Sequence, residues 1–259
     1  MTASRSTPHL LGGRGLAALR ALAARPALWA FDFDGTLARI RRDPSKARVA
    51  TLTAARLARL ARRYPVAIVT GRRVADLHGR LGFEPAWIIG SHGAEDPGDP
   101  AAARRAQVAL VQARERLSSH AQALRAAAIR IEDKGQSIAL HYRTAPDHAA
   151  ARECIDALFA GRADVRAFHG RCVCNLVAPA VRGKADAVRA LMRRAGVEAM
   201  FYAGDDADDE AVFGIAPRGC VTVRVGDPVR SSRAAYRVDG PGQVCAALGQ
   251  VLRRVRAAR

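Results

Sequence analysis

The chain has 259 residues, 49% of them apolar and 25% charged, proportions of an ordinary folded protein that exclude disorder and collagen. Basic residues outnumber acidic ones 42 to 24, a net charge of +18, and 39 of the 42 are Arg, a bias that a GC-rich genome would write. No apolar run approaches the ~18 residues that would span a bilayer, so no membrane role is expected.

The positive charge is dispersed, and the one acidic block, residues 183–210, carries −3. A nucleic-acid binder would more often show a basic tail or stripe with interleaved aromatics. Aromatics are only 5%, so no nucleic-acid partner is expected, only a general attraction to anions. The five Cys (154, 172, 174, 220, 245) have no zinc or redox spacing. His169, Cys172 and Cys174 could gather round a metal, but buried thiols in a reducing, cytoplasmic compartment are the plainer reading. Residues 1–27 lack the apolar run of a signal peptide. They read as an N-terminal extension holding a frayed amphipathic helix. Oligomeric state is not readable; a monomer is the simplest case.

In chain order, Leu28 to Phe31 reads as a buried strand ending at Asp32. Residues 49–63 place Val49, Leu52, Leu57 and Leu60 near helical spacing. Val66 to Val69 is a second strand, ending at Thr70, with a helical stretch expected after Arg72. Trp87 to Ile89 is a third. Beyond a loop with Pro97, Gly98 and Pro100, one long Ala-rich helix is expected near 101–127. Ile129 to Glu132 and Ser137 to Tyr142 follow as strands joined by a turn at Lys134 and Gly135. A helix at 147–160 and strands at 164–168 and 172–177 complete an αββαββ unit. Phe201 to Ala203 and Val221 to Val225 return to the buried-strand pattern. The expectation is an α/β fold, a parallel sheet with covered faces carrying an inserted α+β domain. The core would span 28–95 and 183–259 and the insertion 96–182, with connections near 94–100 and 178–183.

Two acidic clusters directly follow apolar strands. The first is Asp32-Phe33-Asp34-Gly35-Thr36; the second, Gly204 to Glu210, holds five carboxylates in seven residues. Taken alone, these are a strand-end turn and a solvated acidic loop. Together, in a protein of opposite net charge, they suggest a shared hard cation, since crowded carboxylates repel unless one is near. Mg²⁺ prefers few carboxylates plus water and substrate phosphate. Thr70-Gly71-Arg72 at a strand end offers a hydroxyl and amides to phosphate oxygens. Lys184, one of three Lys, is either chance or a position needing a compact point charge.

As a set, Asp-x-Asp-Gly-Thr, Thr-Gly-Arg, the helix-opening Lys184 and Gly-Asp-Asp-x-x-Asp-Glu resemble the haloacid dehalogenase phosphatase superfamily. The insertion resembles its C2 cap. Within that branch, several stretches are similar to trehalose-6-phosphate phosphatases. These are Phe31 to Leu37, Gly90 to Glu95, Glu132 to Ser137, Leu140 to Arg143, Val225 to Ser232 and Ala234 to Val238. The resemblance implies a Rossmannoid core and a sugar phosphate as the small-molecule partner. It implies Asp32 as nucleophile through an aspartyl-phosphate, and Asp34 as general acid and base. Thr70, Gly71 and Lys184 would hold the phosphoryl group. Asp32, the Asp34 carbonyl and Asp205 would hold Mg²⁺, with Asp206 and Asp209 orienting metal waters or Lys184.

In the cap, Glu132, Lys134 and Gly135 would read the sugar. On the residues alone, an exposed turn with an ion pair explains them equally well. Arg72 and His92 are candidate substrate contacts with an equally good structural reading, and His141 reads as structural. The chain departs from the family at Leu176, where a Glu is usual three residues before a Pro, and at Ala185, where a Gly is usual. Sucrose phosphate or mannosyl-glycerate phosphate is the rival substrate. A catalytically silent sugar-phosphate binder on the same fold is the rival function.

Overall fold

A computed structural model describes residues 7–170, 172–181, 183–227 and 231–257. Parts of the expectations lie outside the described residues: 1–6 of the extension, 171 and 182 of the insertion, 228–230 of the family match and 258–259 of the core. Contacts divide the chain into two units. One takes the chain up to Thr70, Val74–Ile89 and the chain from Lys184 onward; the other takes Gly71–Arg73 and Gly90–Gly183.

In the first unit, α1 (Gly13–Ala23) precedes β1 (Leu28–Phe31), α2 (Thr51–Ala61), β2 (Val66–Val69) and β3 (Trp87–Ile89). The six-stranded sheet has β1 in its interior, flanked by β2 and then β3 on one side. On the other side lie three strands from the end of the chain, all of them paired in parallel. In a parallel sheet with both faces covered, strands become near-continuous apolar runs. Leu28–Phe31 and Val66–Val69 are buried at every position. Alternate side chains serve opposite layers. Trp29 and Phe31 pack with Leu19 and Leu22 of α1 and Leu57 and Leu60 of α2; Leu28 and Ala30 join a second cluster on the other face.

The N-terminal helix is therefore part of the core and not a frayed extension. Leu10, Leu19 and Leu22 are buried, the Leu10 amide donates to the Arg237 carbonyl (2.9 Å), and His9 bridges to Arg237. Its amphipathic pattern gave no hint of which surface it covers.

The second unit holds α3 (Pro100–Ala109), α4 (Val111–Ser119), α5 (Ala121–Ala126), β4 (Arg130–Asp133), β5 (Ser137–His141), α6 (His148–Phe159), β6 (Arg166–Gly170) and β7 (Val173–Val177). The strands form an antiparallel sheet in the order β4-β5-β7-β6. The single long helix expected here is three. The chain leaves helical geometry at Leu110 (ψ 5°) and His120 (ψ 14°), and a His120 ring nitrogen hydrogen-bonds the Arg116 carbonyl (2.9 Å). A straight helix of that length would run about 40 Å, against about 17 Å for a five-residue strand. The bends keep Leu110, Leu117 and Leu124 in one core with Ile138, Leu140, Cys174 and Leu176.

The chain then returns to the first unit through α7 (Gly183–Ala195), β8 (Met200–Gly204), α8 (Asp209–Ile215), β9 (Val221–Val225), β10 (Tyr236–Val238) and α9 (Pro241–Ala257). β8 pairs with β1, and β9 and β10 extend the sheet outward. Strand order reverses between β1 and β8, and ligand crevices in open α/β sheets form beyond the carboxyl ends of strands at such a point.

Candidate active site

Asp32 leaves the end of β1 with its amide donating to the Ala203 carbonyl of β8 (2.9 Å), so the two acidic clusters start level with each other. Asp32 is 5% exposed and Lys184, from the first turn of α7, is 4% exposed. The Lys184 ammonium lies 2.9 Å from Asp32 Oδ1, 2.9 Å from Asp209 Oδ1 and 3.1 Å from Asp208 Oδ1. Asp209 is engaged on both oxygens: its Oδ1 also accepts from the Tyr202 hydroxyl (2.7 Å), and its Oδ2 from the Asp206 amide (3.0 Å).

Two glycines make the close approach possible. A Cβ at Gly204 would overlap the Asp209 carboxylate, and a Cβ at Gly35, whose φ is +76°, would overlap that of Asp205. The motif glycines are thus explained by packing as well as by turning.

The electrostatics follow from burial. Burial drives the Asp32 carboxyl well above the usual range; Lys184 opposes the rise, and the neighbouring carboxylates Asp209, Asp205 and Asp208 add to it. Burial also pushes Asp205 up to about 7 and raises Asp209. At Lys184, burial pulls the ammonium down, but Asp208, Asp209 and Asp32 more than reverse it, so the charge is held.

Three carboxylates thus surround one ammonium, and single oxygens of Asp32, Asp205 and Asp209 lie within 4.8 Å of one another. That excess of buried negative charge fits a metal cation. Asp32, Asp205 and Asp209 are the residues that could hold it, Asp209 already accepting from Lys184, Tyr202 and the Asp206 amide. They are the only such ligand group among the described residues, and His169, Cys172 and Cys174 form none.

Two details differ from the expectations. Among the described residues, no α-helix opens after Thr70-Gly71-Arg72; Val74–Leu77 is a single 3-10 turn, too short to concentrate a helix dipole. Asp206 does not orient Lys184: its side chain accepts from the Ala207 amide (2.8 Å). Asp208 takes that place. It was overlooked because α8 begins at Asp209, which brings consecutive acids round the first turn to the same ammonium. Arg224, buried on β9, was missed as well. It donates to the Asp206 carbonyl (3.1 Å) and pairs with Glu210 (3.5 Å), holding the acidic loop.

The second unit gathers the cap candidates on one sheet face. Register places Glu132, Ala139, Asn175 and Phe168 in a single row across β4, β5, β7 and β6. His92 stands edge-on to Phe168 (5.1 Å between centroids) and close over Gly71, where a Cβ would overlap its ring. Lys134 Nζ donates to the Gly71 carbonyl (3.0 Å), while the Arg72 carbonyl accepts from the Ser91 amide (2.7 Å). Glu132 accepts from His141 Nε2 (2.7 Å), which drops its carboxyl to about 2. Arg114 clamps the turn at Lys134 and Gly135 by two bonds to Asp133 (2.7 and 3.1 Å) and one to the Gly135 carbonyl (2.6 Å). Leu176 lies on the opposite face, fully buried in the cap core; the buried polar residue beside it that faces the Glu132 side is Asn175.

The model of the trehalose-phosphatase family matches residues 30–234, most of the chain and both units. The chain belongs to the trehalose-phosphatase family. It is 37% identical to a probable trehalose-phosphate phosphatase of Sinorhizobium fredii, over 80% of this chain and 81% of that protein. It is 35% identical to trehalose-phosphate phosphatase of Mycobacterium avium, over 86% of this chain and 61% of that protein. The match spans 61% of the length of the Mycobacterium ulcerans and Mycobacterium avium proteins. In fold it follows the C-terminal domain of Candida albicans trehalose-6-phosphate phosphatase, with a TM-score of 0.78 at 22% identity, covering 96% of this chain and 99% of that one. The same fold recurs in a haloacid dehalogenase-like hydrolase of B. subtilis, with a TM-score of 0.56 at 17% identity, covering 86% of this chain and 98% of that one.

Proposed function

We propose that the protein hydrolyses trehalose 6-phosphate to trehalose and inorganic phosphate. The observation that carries this is Lys184 held among Asp32, Asp208 and Asp209, beside Asp205, in a chain of the trehalose-phosphatase family. Asp32 attacks phosphorus as the bond to the sugar oxygen breaks, and Asp34 gives that oxygen its proton. Asp34 then takes a proton from the water that attacks the phosphoaspartate, which frees phosphate and restores Asp32. Thr70, Gly71 and Lys184 hold the phosphoryl oxygens and cancel their charge as it shifts. Asp32, Asp205 and the Asp34 carbonyl would hold Mg²⁺, which supplies positive charge where two anions must meet. Asp206 and Asp209 support that loop. Glu132, Lys134 and Gly135 read the sugar hydroxyls, with Arg72 and His92 as further contacts. The five free thiols suit a reducing, cytoplasmic setting.

A second reading, the same chemistry on another sugar phosphate, is favoured by one observation: Leu176, where the family usually has a Glu, is buried in the cap core, and the polar residue beside it on the Glu132 face is a neutral amide, Asn175. Phosphate release from a panel of sugar phosphates, with and without chelator, tests both. Chelator-sensitive preference for trehalose 6-phosphate supports the first, and preference for another sugar phosphate the second. Asp32→Asn should lose at least about 10³-fold in turnover while staying folded, as expected for removal of a nucleophile; near-normal activity would overturn the mechanism.

A further inference from the structure

Glu132 sits on β4, an edge strand of the cap sheet, with a neighbouring strand on one side alone. The other two residues of its group are tied down elsewhere. Lys134 donates to the Gly71 carbonyl (3.0 Å), and the Gly135 carbonyl accepts from Arg114 (2.6 Å). Glu132 has a long, flexible side chain that is only half-buried, and such a side chain loses rotamer freedom whenever a ligand fixes it.

Among the described residues, the one side-chain hydrogen bond that restrains Glu132 comes from His141, whose Nε2 lies 2.7 Å from Oε2. His141 belongs to β5, an interior strand of the same sheet. Register pairs Glu132 with Ala139 and Arg130 with His141, so His141 is the diagonal neighbour of Glu132 on the same face. Diagonal positions are about 7–8 Å apart, within reach of long side chains. Ala139, directly across from Glu132, offers no polar group. The imidazole thus occupies Oε2 and leaves Oε1 as an acceptor. A sugar hydroxyl donating to a carboxylate makes a charge-assisted bond, and a carboxylate already held in place spares the cost of ordering it on binding.

We infer that His141 is a positioning residue for substrate recognition: by holding Oε2 of Glu132 it presents Oε1 to a hydroxyl of the sugar. The inference rests on Glu132 reading the sugar, as proposed above.

Steady-state kinetics with Mg²⁺ on trehalose 6-phosphate and on a small aryl phosphate tests it. Wild type is compared with His141→Leu, His141→Gln, Glu132→Gln and the double variant His141→Leu/Glu132→Gln. His141→Leu should raise KM for trehalose 6-phosphate about three- to tenfold, with a smaller change for the aryl phosphate. His141→Gln keeps an N–H donor and should recover most of the loss. Glu132→Gln should raise KM about tenfold or more, and adding His141→Leu to it should do no further harm, because His141 acts through Glu132. A wild-type KM in His141→Leu beside a raised one in Glu132→Gln would overturn the role of His141 alone. So would effects that multiply in the double variant, or an equal rise in KM for the aryl phosphate. A wild-type KM in Glu132→Gln, or no turnover of trehalose 6-phosphate by wild type, would overturn the sugar reading and this inference with it.

Discussion

Lys184 shows how much one buried charge holds together. Three carboxylates share its ammonium, and the side chain is 3% exposed. Replacing it with Ala leaves them buried without a counter-charge, which should cost about 3–5 kcal/mol. Urea unfolding in metal-free buffer measures this. Added Mg²⁺ should recover part of the loss, and a loss under about 1 kcal/mol would mean that water already solvates the carboxylates. Glu132 gives a cleaner pH signature. Its hydrogen bond to His141 lowers the folded carboxyl to about 2, against an ordinary 4.5. A depressed acid stabilises the fold above its unfolded pKa and loses that contribution as pH falls through the folded one. The difference in thermal midpoint between wild type and His141→Leu should thus be steady from pH 7 to about 5. It should shrink as pH falls from about 4.5 towards 2. A difference that grows on acidification would assign the pairing the wrong sign.

At the scale of elements, the strands of the parallel sheet were legible because burial on both faces writes an unbroken apolar run, as in Leu28–Phe31 and Val66–Val69. β10 was not legible as a strand: Tyr236–Val238 is three residues long and holds an Arg, and its place comes from pairing with β9. The breaks at Leu110 and His120 were hidden for a different reason. An Ala-rich segment has helix propensity throughout, and only the size of the sheet beneath dictates where it bends. In the site, residue types and spacing exposed Asp32, Asp205 and Lys184. They were silent about Tyr202, whose hydroxyl reaches Asp209 from inside a buried strand. Gly204 joins element to chemistry, since β8 must end without a side chain for Asp209 to come in. Gly204→Ala should displace that carboxylate, costing about 1–3 kcal/mol by overpacking and lowering turnover at least tenfold. A variant with normal stability and activity would show that the loop can shift freely.

For the whole molecule, the net charge of +18 matters more for encounter than for chemistry. A strongly positive protein draws in an anionic substrate at long range, and salt screens that attraction over about 8–10 Å. Raising NaCl from about 50 to 200 mM should lower kcat/KM for a sugar phosphate severalfold if capture limits it, leaving kcat nearly constant. An equal fall in both would locate the salt effect in the bound complex instead.

The pairing of β1 with β8 also governs how this protein comes into being. Trp29 and Phe201 lie side by side in the sheet but are far apart in the chain. During synthesis, β1 emerges long before β8, its eventual neighbour. At about 5–20 residues per second, the nascent chain spends roughly ten seconds or more with one edge of an apolar strand unpaired. Such an edge invites pairing with other chains. Closing so long a loop is also slow. The central position that places Asp32 opposite the acidic loop thus keeps an apolar strand edge open in the nascent chain, and the two acidic clusters meet only once β8 has been made.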